Sequence, residues 1–403
     1  MRPALQAEQP VPSNKTLVML LLGIVLVGAN MRAAIASVGP LIGFIRDDTG
    51  LSNGAVGWLT TIPLIGFAVL SPFAPSLARR YGTERTLVAT LALMTIGIGL
   101  RAFDSIPLLF VGTAGVGIGI AVCNVLLPSI VKQNFINRVG FMTGLYSMTM
   151  SIFASIASGV SVPLSQGAGW GWRNTLLVWA ALSLLGLLVW LPMARSAKAR
   201  SGGGAKRAAS GKTANVWKSG LAWQVTLYMG FQSFNYYVSV AWLPEILLSH
   251  GWSPVNAGWM LSVMQLTGIP FNFLVPAIAE RLKDQRLVAA AGALVGMAGY
   301  AGLLIDNAAI ATVSVILMGI GQSICISLAL TFIALRAKNA TQAAALSGMA
   351  QSMGYALAAL GPICLGALHD LTAAWTWPII TLLATSSIMV VAGLGAGRNR
   401  HIG

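Results

Sequence analysis

Twelve long apolar runs separated by short polar loops dominate this chain and leave it few folds to choose from. About 20 apolar residues cross a bilayer as a helix, and the runs cover roughly 15–45, 53–77, 84–102, 106–131, 139–163, 172–193, 218–249, 254–280, 285–304, 308–335, 341–367 and 374–396. Only 9% of the residues are charged and 56% are hydrophobic, with a mean hydropathy of +0.78. A soluble chain carries roughly 25% charged residues. The composition therefore predicts an all-α, polytopic membrane protein solvated mainly by lipid. The 45 glycines suit close helix packing in a bilayer. Cys123, Cys325 and Cys364 all fall inside apolar runs, so neither a disulfide framework nor a zinc site is expected. The first run is too long for a cleavable signal peptide and lacks a small-residue cleavage site.

The net charge of +15 would suggest nucleic acid in a soluble protein, but here its distribution among loops explains it, and no nucleic-acid partner is expected. Residues 1–14 read as a disordered tail, and 194–217 as a flexible basic linker around SGGGAKRAASGK. The linker divides the chain into halves over 15–193 and 218–397, with a short tail over 398–403. Lys and Arg favour cytoplasmic loops. With the amino terminus inside, one face carries Arg79, Arg80, Arg85, Lys132, Arg138, the linker cations, Arg281, Lys283, Arg286, Arg336, Lys338, Arg398 and Arg400. The other carries only Arg46, Arg101 and Arg173, against Asp47, Asp48, Asp104, Glu245, Asp306 and Asp370. Both termini are predicted to be cytoplasmic.

The halves also repeat. Leu51-Ser52 and Gly57-Trp58 return as Trp252-Ser253 and Gly258-Trp259. Pro75, Ala78, Arg80 and Arg85 return as Pro276, Ala279, Arg281 and Arg286 at the same shift. Gly117-Ile-Gly119 with Cys123 returns as Gly319-Ile-Gly321 with Cys325, and Thr143-Gly144 is answered by Ser347-Gly348. Such ordered matches argue for duplication of a six-helix unit. Parallel six-span halves with a midplane site between them form one known transporter architecture, that of the major facilitators.

Within the first run, Arg32 is the one charge placed mid-span. An isolated arginine there costs at least about 2.5–3.5 kcal/mol, so it should face a cavity, a partner or a ligand. The alternative is an arginine that bonds backbone carbonyls for structure alone. Gln232, Asn235, Tyr236 and Ser239 recur at one-face helical spacing in the seventh run. Gln351 and Tyr355 share a face with Ser347 in the eleventh, Gln265 with Asn272 in the eighth, and Tyr146 with Thr149 in the fifth. Asn124 and Gln322 add an amide each in the fourth and tenth. With one fixed cation, these groups would favour a small anion or an electron-rich neutral solute. Any one of them taken alone reads better as inter-helix glue, worth about 0.6 kcal/mol per contact, but the Gln232–Ser239 residues converge on one face. Met148, Met264, Met349 and Met353 read as an adaptable wall or as packing.

The loop after the second run has Pro75-Ser-Leu-Ala-Arg79-Arg80-Tyr81-Gly82-Thr83-Glu84-Arg85. It resembles the Gly-x-x-x-Asp-Arg-x-Gly-Arg-Arg loop of major facilitator proteins at Arg80 and Gly82, and Arg85 belongs to the same loop. Arg79 stands in the aspartate's place, which weakens the carry-over of that motif's gating salt bridge. The counterpart loop has Glu280 in the acidic place beside Arg281. Further segments are similar to the cyanate/nitroimidazole (CynX/NimT) branch: Gly28-Ala-Asn30-Met31-Arg32, Gly39-Pro40-Leu41, Leu127-Pro128-Ser129, Leu221-Ala-Trp223-Gln224, Ala345-Leu-Ser347-Gly348-Met349-Ala-Gln351-Ser352 and His369-Asp370. The similarity covers nearly the whole chain and looks closest to the 2-nitroimidazole exporters. It implies the major facilitator fold, with twelve helices in two pseudo-symmetric bundles. It also implies a proton-linked or uniport carrier of small anions or nitro and azole compounds in a bacterial inner membrane.

No Asp, Glu or His lies mid-span, so the usual intramembrane proton carrier is missing. Glu245 is the nearest titratable candidate, and protons are a conditional coupling partner. No nucleophile elbow, metal-spaced His cluster or phosphate-binding loop occurs, so neither an enzyme nor a cofactor is expected. The reading is a monomeric secondary transporter of a small solute. Its rivals are a broad drug exporter of neutral compounds and a non-transporting sensor.

Overall fold

The computed structural model describes residues 14–135, 139–200, 216–338 and 340–402. Among these, every regular element is helical. The first span is α1 (Asn14–Ala36), broken by a short turn over Gly39–Leu41 and continued by α2 (Ile42–Thr49). The second is α3 (Asn53–Leu70), followed by a short α4 (Ala74–Tyr81). Then come α5 (Thr83–Leu100), α6 (Ile106–Asn134), α7 (Val139–Val162) and α8 (Gly171–Arg200). The second half holds α9 (Gly220–Ser249), α10 (Pro254–Arg281), α11 (Arg286–Gly302), α12 (Ala308–Arg336), α13 (Ala340–Thr372) and α14 (Thr376–Ala396). Ten described helices are long and apolar enough to cross a bilayer. The other two complete the twelve in different ways. Helix α11 is apolar but has 17 residues, and α9 has 30 residues but is rich in polar side chains. Those side chains are tolerated because α9 is buried nearly continuously from Val225 to Leu247, against protein rather than lipid.

Two bundles pack the same way. In the first, α1 lies on α7 and α8, α3 on α6, and α5 on α6 and α8. In the second, α9 lies on α13 and α14, α10 on α12, and α11 on α12 and α14. The bundles meet along two related seams, α3 against α13 and α7 against α10. The sequence repeats have physical causes in this scheme. Ser52 and Ser253 each cap the next helix, accepting the N–H of Ala55 and Asn256. Each follows a glycine at positive φ, Gly50 at 69° and Gly251 at 78°, a conformation that favours glycine. Gly57 and Gly258 mark the two seams. A Cβ at Gly57 would lie 2.9 Å from the carbonyl oxygen of Pro362, and one at Gly258 would lie 3.3 Å from that of Ser158. Gly117 and Gly319 likewise let α6 approach α3 at Pro63 and α12 approach α10 at Met264.

Three details bear on the expected linker, the carboxy-terminal tail and Arg101. Helix α8 runs on to Arg200, and a helical turn forms at Val216–Lys218, so the described ends of the linker expected over 194–217 are helical. Its residues 201–215, the tail over 1–13 and Arg138 lie outside the described residues, as do the side chains of Arg79 and Lys132. Within the tail over 398–403, Ile402 is buried and donates its N–H to the carbonyl of Arg336. Arg101, expected in a loop, is 2% exposed at the end of α5.

Candidate functional site

Arg32 lies in the last full turn of α1 and reaches across to the other bundle. Its guanidinium carbon sits 4.9 Å from the ring centre of Tyr236 and 5.8 Å from that of Tyr237, both on α9. These are cation–π distances. Its Nη1 donates one long hydrogen bond, 3.5 Å, to the Tyr237 hydroxyl. Tyr355 of α13 closes the aromatic group, edge-on to Tyr237 at 6.4 Å and to Phe67 at 5.3 Å. The Tyr236 hydroxyl donates to Gln265 Oε1 at 3.3 Å, and Gln265 Nε2 donates to Ser158 Oγ at 2.9 Å across the α7–α10 seam. Among the described residues Arg32 forms no ion pair. A guanidinium offers five donors, so most of its capacity is unspent on protein.

The rest of the α9 stripe points elsewhere. Gln232 Nε2 donates to Gln322 Oε1 at 3.3 Å, and Gln322 Nε2 donates to the Tyr300 hydroxyl at 2.6 Å. Ser239 Oγ lies 3.0 Å from the same hydroxyl. Asn235 Nδ2 donates to Ser386 Oγ, and Asn235 Oδ1 accepts from Thr385 Oγ1. All four stripe partners are buried inside the second bundle, so Gln232, Asn235, Ser239 and Gln322 act there as helix-to-helix glue. A helix turns about 100° per residue, which sets the face between Tyr236 and Tyr237 roughly 150° away from Asn235. Sequence spacing found the stripe but not the direction it faces, and it missed Tyr237 one residue off it. Gln351 donates to Ser347 on its own helix at 2.8 Å. Asn272 accepts from Ser327. Asn124 and Tyr146 are half-buried on α6 and α7, with Tyr146 packed against Gly28.

A second polar group spans the bundles at the end predicted to face outside. Arg46 Nη1 bonds Glu245 Oε2 at 3.0 Å and Asn53 Oδ1 at 3.0 Å. Asn53 Nδ2 donates to Asp370 Oδ1 at 2.7 Å, and the Gly54 N–H donates to Asp370 Oδ2 at 2.8 Å. Asp370 thus caps the amino terminus of α3 from the opposite bundle, where a carboxylate is favoured by the helix dipole. His369 Nδ1 lies 3.3 Å from Asn53 Nδ2, and its ring stacks on Trp375 at 4.2 Å. Glu245 is therefore a cross-bundle ion-pair partner rather than a member of the Arg32 group. At the other end the motif residues are different. Gly82 takes φ of 90°, and Arg80 lies over the neighbouring Tyr81. Arg80, Arg85, Glu280 and Arg281 are exposed and form no ion pair among the described residues.

Two buried guanidiniums lie outside the tyrosine group. Arg336 donates to the carbonyl of Ala396 at 2.8 Å and to Gln285 Oε1, locking the end of α12 to α11 and α14. Arg101 donates from Nη1 to the carbonyl of Ala34 at 3.1 Å, while its Nε has no partner.

Comparison with known proteins agrees with this architecture. Residues 20–362 match the family described as Major Facilitator Superfamily. The chain is 48% identical over 396 residues to the uncharacterized transporter YycB of Bacillus subtilis (strain 168), covering 98% of this chain and 97% of that one. It is 43% identical over 390 residues to the 2-nitroimidazole transporter of Escherichia coli (strain K12), covering 97% and 98%. Identity to the cyanate transport protein CynX of the same organism is 25% over 354 residues, covering 88% and 90%. Among solved structures, a bacterial homologue of the lysosomal transporter Spinster, inward-facing and occupied, superposes with a TM-score of 0.72 at 17% identity and 96% coverage of each chain. A D-xylose–proton symporter superposes with a TM-score of 0.72 at 16% identity, covering 95% of this chain and 97% of that one. At those identities the solved structures speak for the fold alone. The chain is a multi-pass membrane transporter rather than an enzyme, and it belongs to the major facilitator superfamily, in its cyanate/nitroimidazole branch.

Proposed function

We propose that this secondary transporter moves a small flat solute bearing anionic or nitro-type oxygens, bound at Arg32 among Tyr236, Tyr237, Tyr355 and Gln265. The carrying observation is that, among the described residues, Arg32 sits between the bundles with one long protein hydrogen bond and no carboxylate partner. A planar guanidinium fork suits two oxygens on one atom, and the tyrosine rings offer flat surfaces to a ring or a linear anion. The names of two relatives, a 2-nitroimidazole transporter and a cyanate transport protein, point to the same chemistry. Alternating access would rock the two bundles about this site. The Arg46–Glu245 and Asn53–Asp370 contacts would close the outer side, in a bacterial inner membrane with both termini inside. Gln232, Asn235, Gln322 and Gln351 are not needed for the reading, because each bonds another protein group, while Asn124 and Tyr146, half-buried on α6 and α7, remain candidates for the lining.

The test is 2-nitroimidazole and cyanate flux in proteoliposomes, together with equilibrium binding. Charge-assisted hydrogen bonds are worth roughly 1.5–3 kcal/mol each, so Arg32→Gln should weaken binding about tenfold or more. Arg32→Lys keeps the charge but loses the fork and should bind partially. An Arg32→Gln protein that binds like the parent ends the anion-site reading. Flux of neutral compounds alone would favour the drug-exporter reading instead.

A further inference from the structure

We propose that Arg101 is a positioning residue for the solute site, holding the last turn of α1, and with it Arg32, in place through the backbone carbonyl of Ala34. The inference rests on the assignment of Arg32 to the solute site.

The reason lies in how α1 ends. The Ser37 N–H reaches the carbonyl of Ala33 in the ordinary helical way. The Val38 N–H turns instead to Ile35, three residues back, and the Leu41 N–H turns to Val38. Pro40 has no N–H to offer. The carbonyls of Ala34 and Ser37 therefore lose their regular helical donors where the helix breaks. In a bilayer such groups must find protein partners, since no water is at hand. Two side chains from other helices supply them. Arg101 bonds Ala34 at 3.1 Å, and Ser161 of α7 bonds Ser37 at 3.1 Å.

Ser161 answers such a carbonyl with a neutral hydroxyl, whose single proton is shared with the carbonyl of Ala157 at 2.6 Å. Arg101 does the same task with a full charge, 2% exposed, and one nitrogen without a partner. A cation at a helix carboxy terminus is favoured by the helix dipole, so the charge strengthens the grip on the turn it caps. That turn is the one that matters. Arg32 lies two residues before Ala34 and faces Tyr236 and Tyr237, while Gly39 just past the break lies against the carbonyl of Val240 on the same helix α9. One turn of α1 is thus held from behind by α5 and presented in front to α9. If it slips, Arg32 changes its distance to the tyrosine rings.

The test is a double-mutant cycle read by 2-nitroimidazole binding and by the KM and kcat of its flux. Arg101→Met keeps the stem and removes donor and charge. It should raise KM roughly fivefold or more with little change in kcat, and Arg101→Lys should return KM to within about twofold of the parent. In an Arg32→Gln background Arg101→Met should add no further loss, because the residue acts through Arg32. Equal losses in both backgrounds, or an unchanged KM in the single variant, overturn the proposal. If Arg101→Met does not insert, the same cycle is run with Arg101→Gln, which removes the charge and shortens the stem, and with Ser161→Ala, which loosens the neighbouring carbonyl, and is judged by the same non-additivity. A parent protein that binds neither 2-nitroimidazole nor cyanate overturns the site assignment and this proposal together. Loss of binding in Arg32→Gln with none in Arg101→Met overturns the proposal alone.

Discussion

Removing the charges of Glu245 and Asp370 together should open the outer seam, and the size of the effect follows from their surroundings. The Glu245 side chain is 10% exposed and its partner Arg46 31% exposed. A partly buried, charge-assisted contact of this kind is worth about 1–2 kcal/mol. Asp370 is exposed, so its bonds to Asn53 and Gly54 are discounted to about 0.5–1 kcal/mol. The double variant Glu245→Gln/Asp370→Asn should therefore lose about 2 kcal/mol of closure. Each 1.4 kcal/mol is tenfold in an equilibrium, which gives a rise of roughly thirtyfold in the outward-open fraction. The assay places a single cysteine at Tyr355 in a background lacking Cys123, Cys325 and Cys364, and measures labelling by an impermeant thiol reagent added outside intact cells. The labelling rate should rise by the same order. An unchanged rate refutes the assignment of these contacts as the outer closure. Glu245→Gln alone should still support transport well above a residual rate, because Glu245 lies outside the Arg32 group.

Single cysteines placed in residues 201–215 should resist the same external reagent, and ready labelling would reverse the predicted orientation. Tyr300→Phe removes the hydroxyl shared by Gln322 and Ser239. It should lower thermal stability by about 1 kcal/mol while leaving solute affinity within about twofold. A large affinity loss with unchanged melting would return Gln322 and Gln232 to the site.

What could be read from residues alone follows from range. The spans, the duplication and the loop charges are local or periodic signals. The repeated serines and glycines turn out to be helix caps and close contacts that each half needs once. Arg32 stood out because a charge inside a long apolar run is conspicuous. Arg101 did not, since it lies at the very end of the third run, three residues from Asp104, and so resembles a loop residue. Its sole warning was the apolar company on both sides, Leu100 before it and Ala102-Phe103 after it. The direction of the α9 stripe could not be read either. Helical spacing defines a face, whereas Tyr300, Thr385 and Ser386, which claim that face, lie at least 61 residues away in sequence. The Asn53–Asp370 contact, separated by 317 residues, carries no local mark at all.

The polar interior of α9 also bears on how the protein is made. Its apolar run is interrupted by Gln224, Gln232, Ser233, Asn235 and three tyrosines. Insertion into the bilayer from the ribosome is decided largely by such hydropathy. Its amides and hydroxyls are satisfied by Gln322 on α12, Tyr300 on α11, and Thr385 and Ser386 on α14, all synthesised later. Helix α9 therefore gains these partners only once most of the second half has emerged. Truncating the chain before α14 should leave α9 poorly inserted, so the second bundle is assembled as a set rather than one helix at a time.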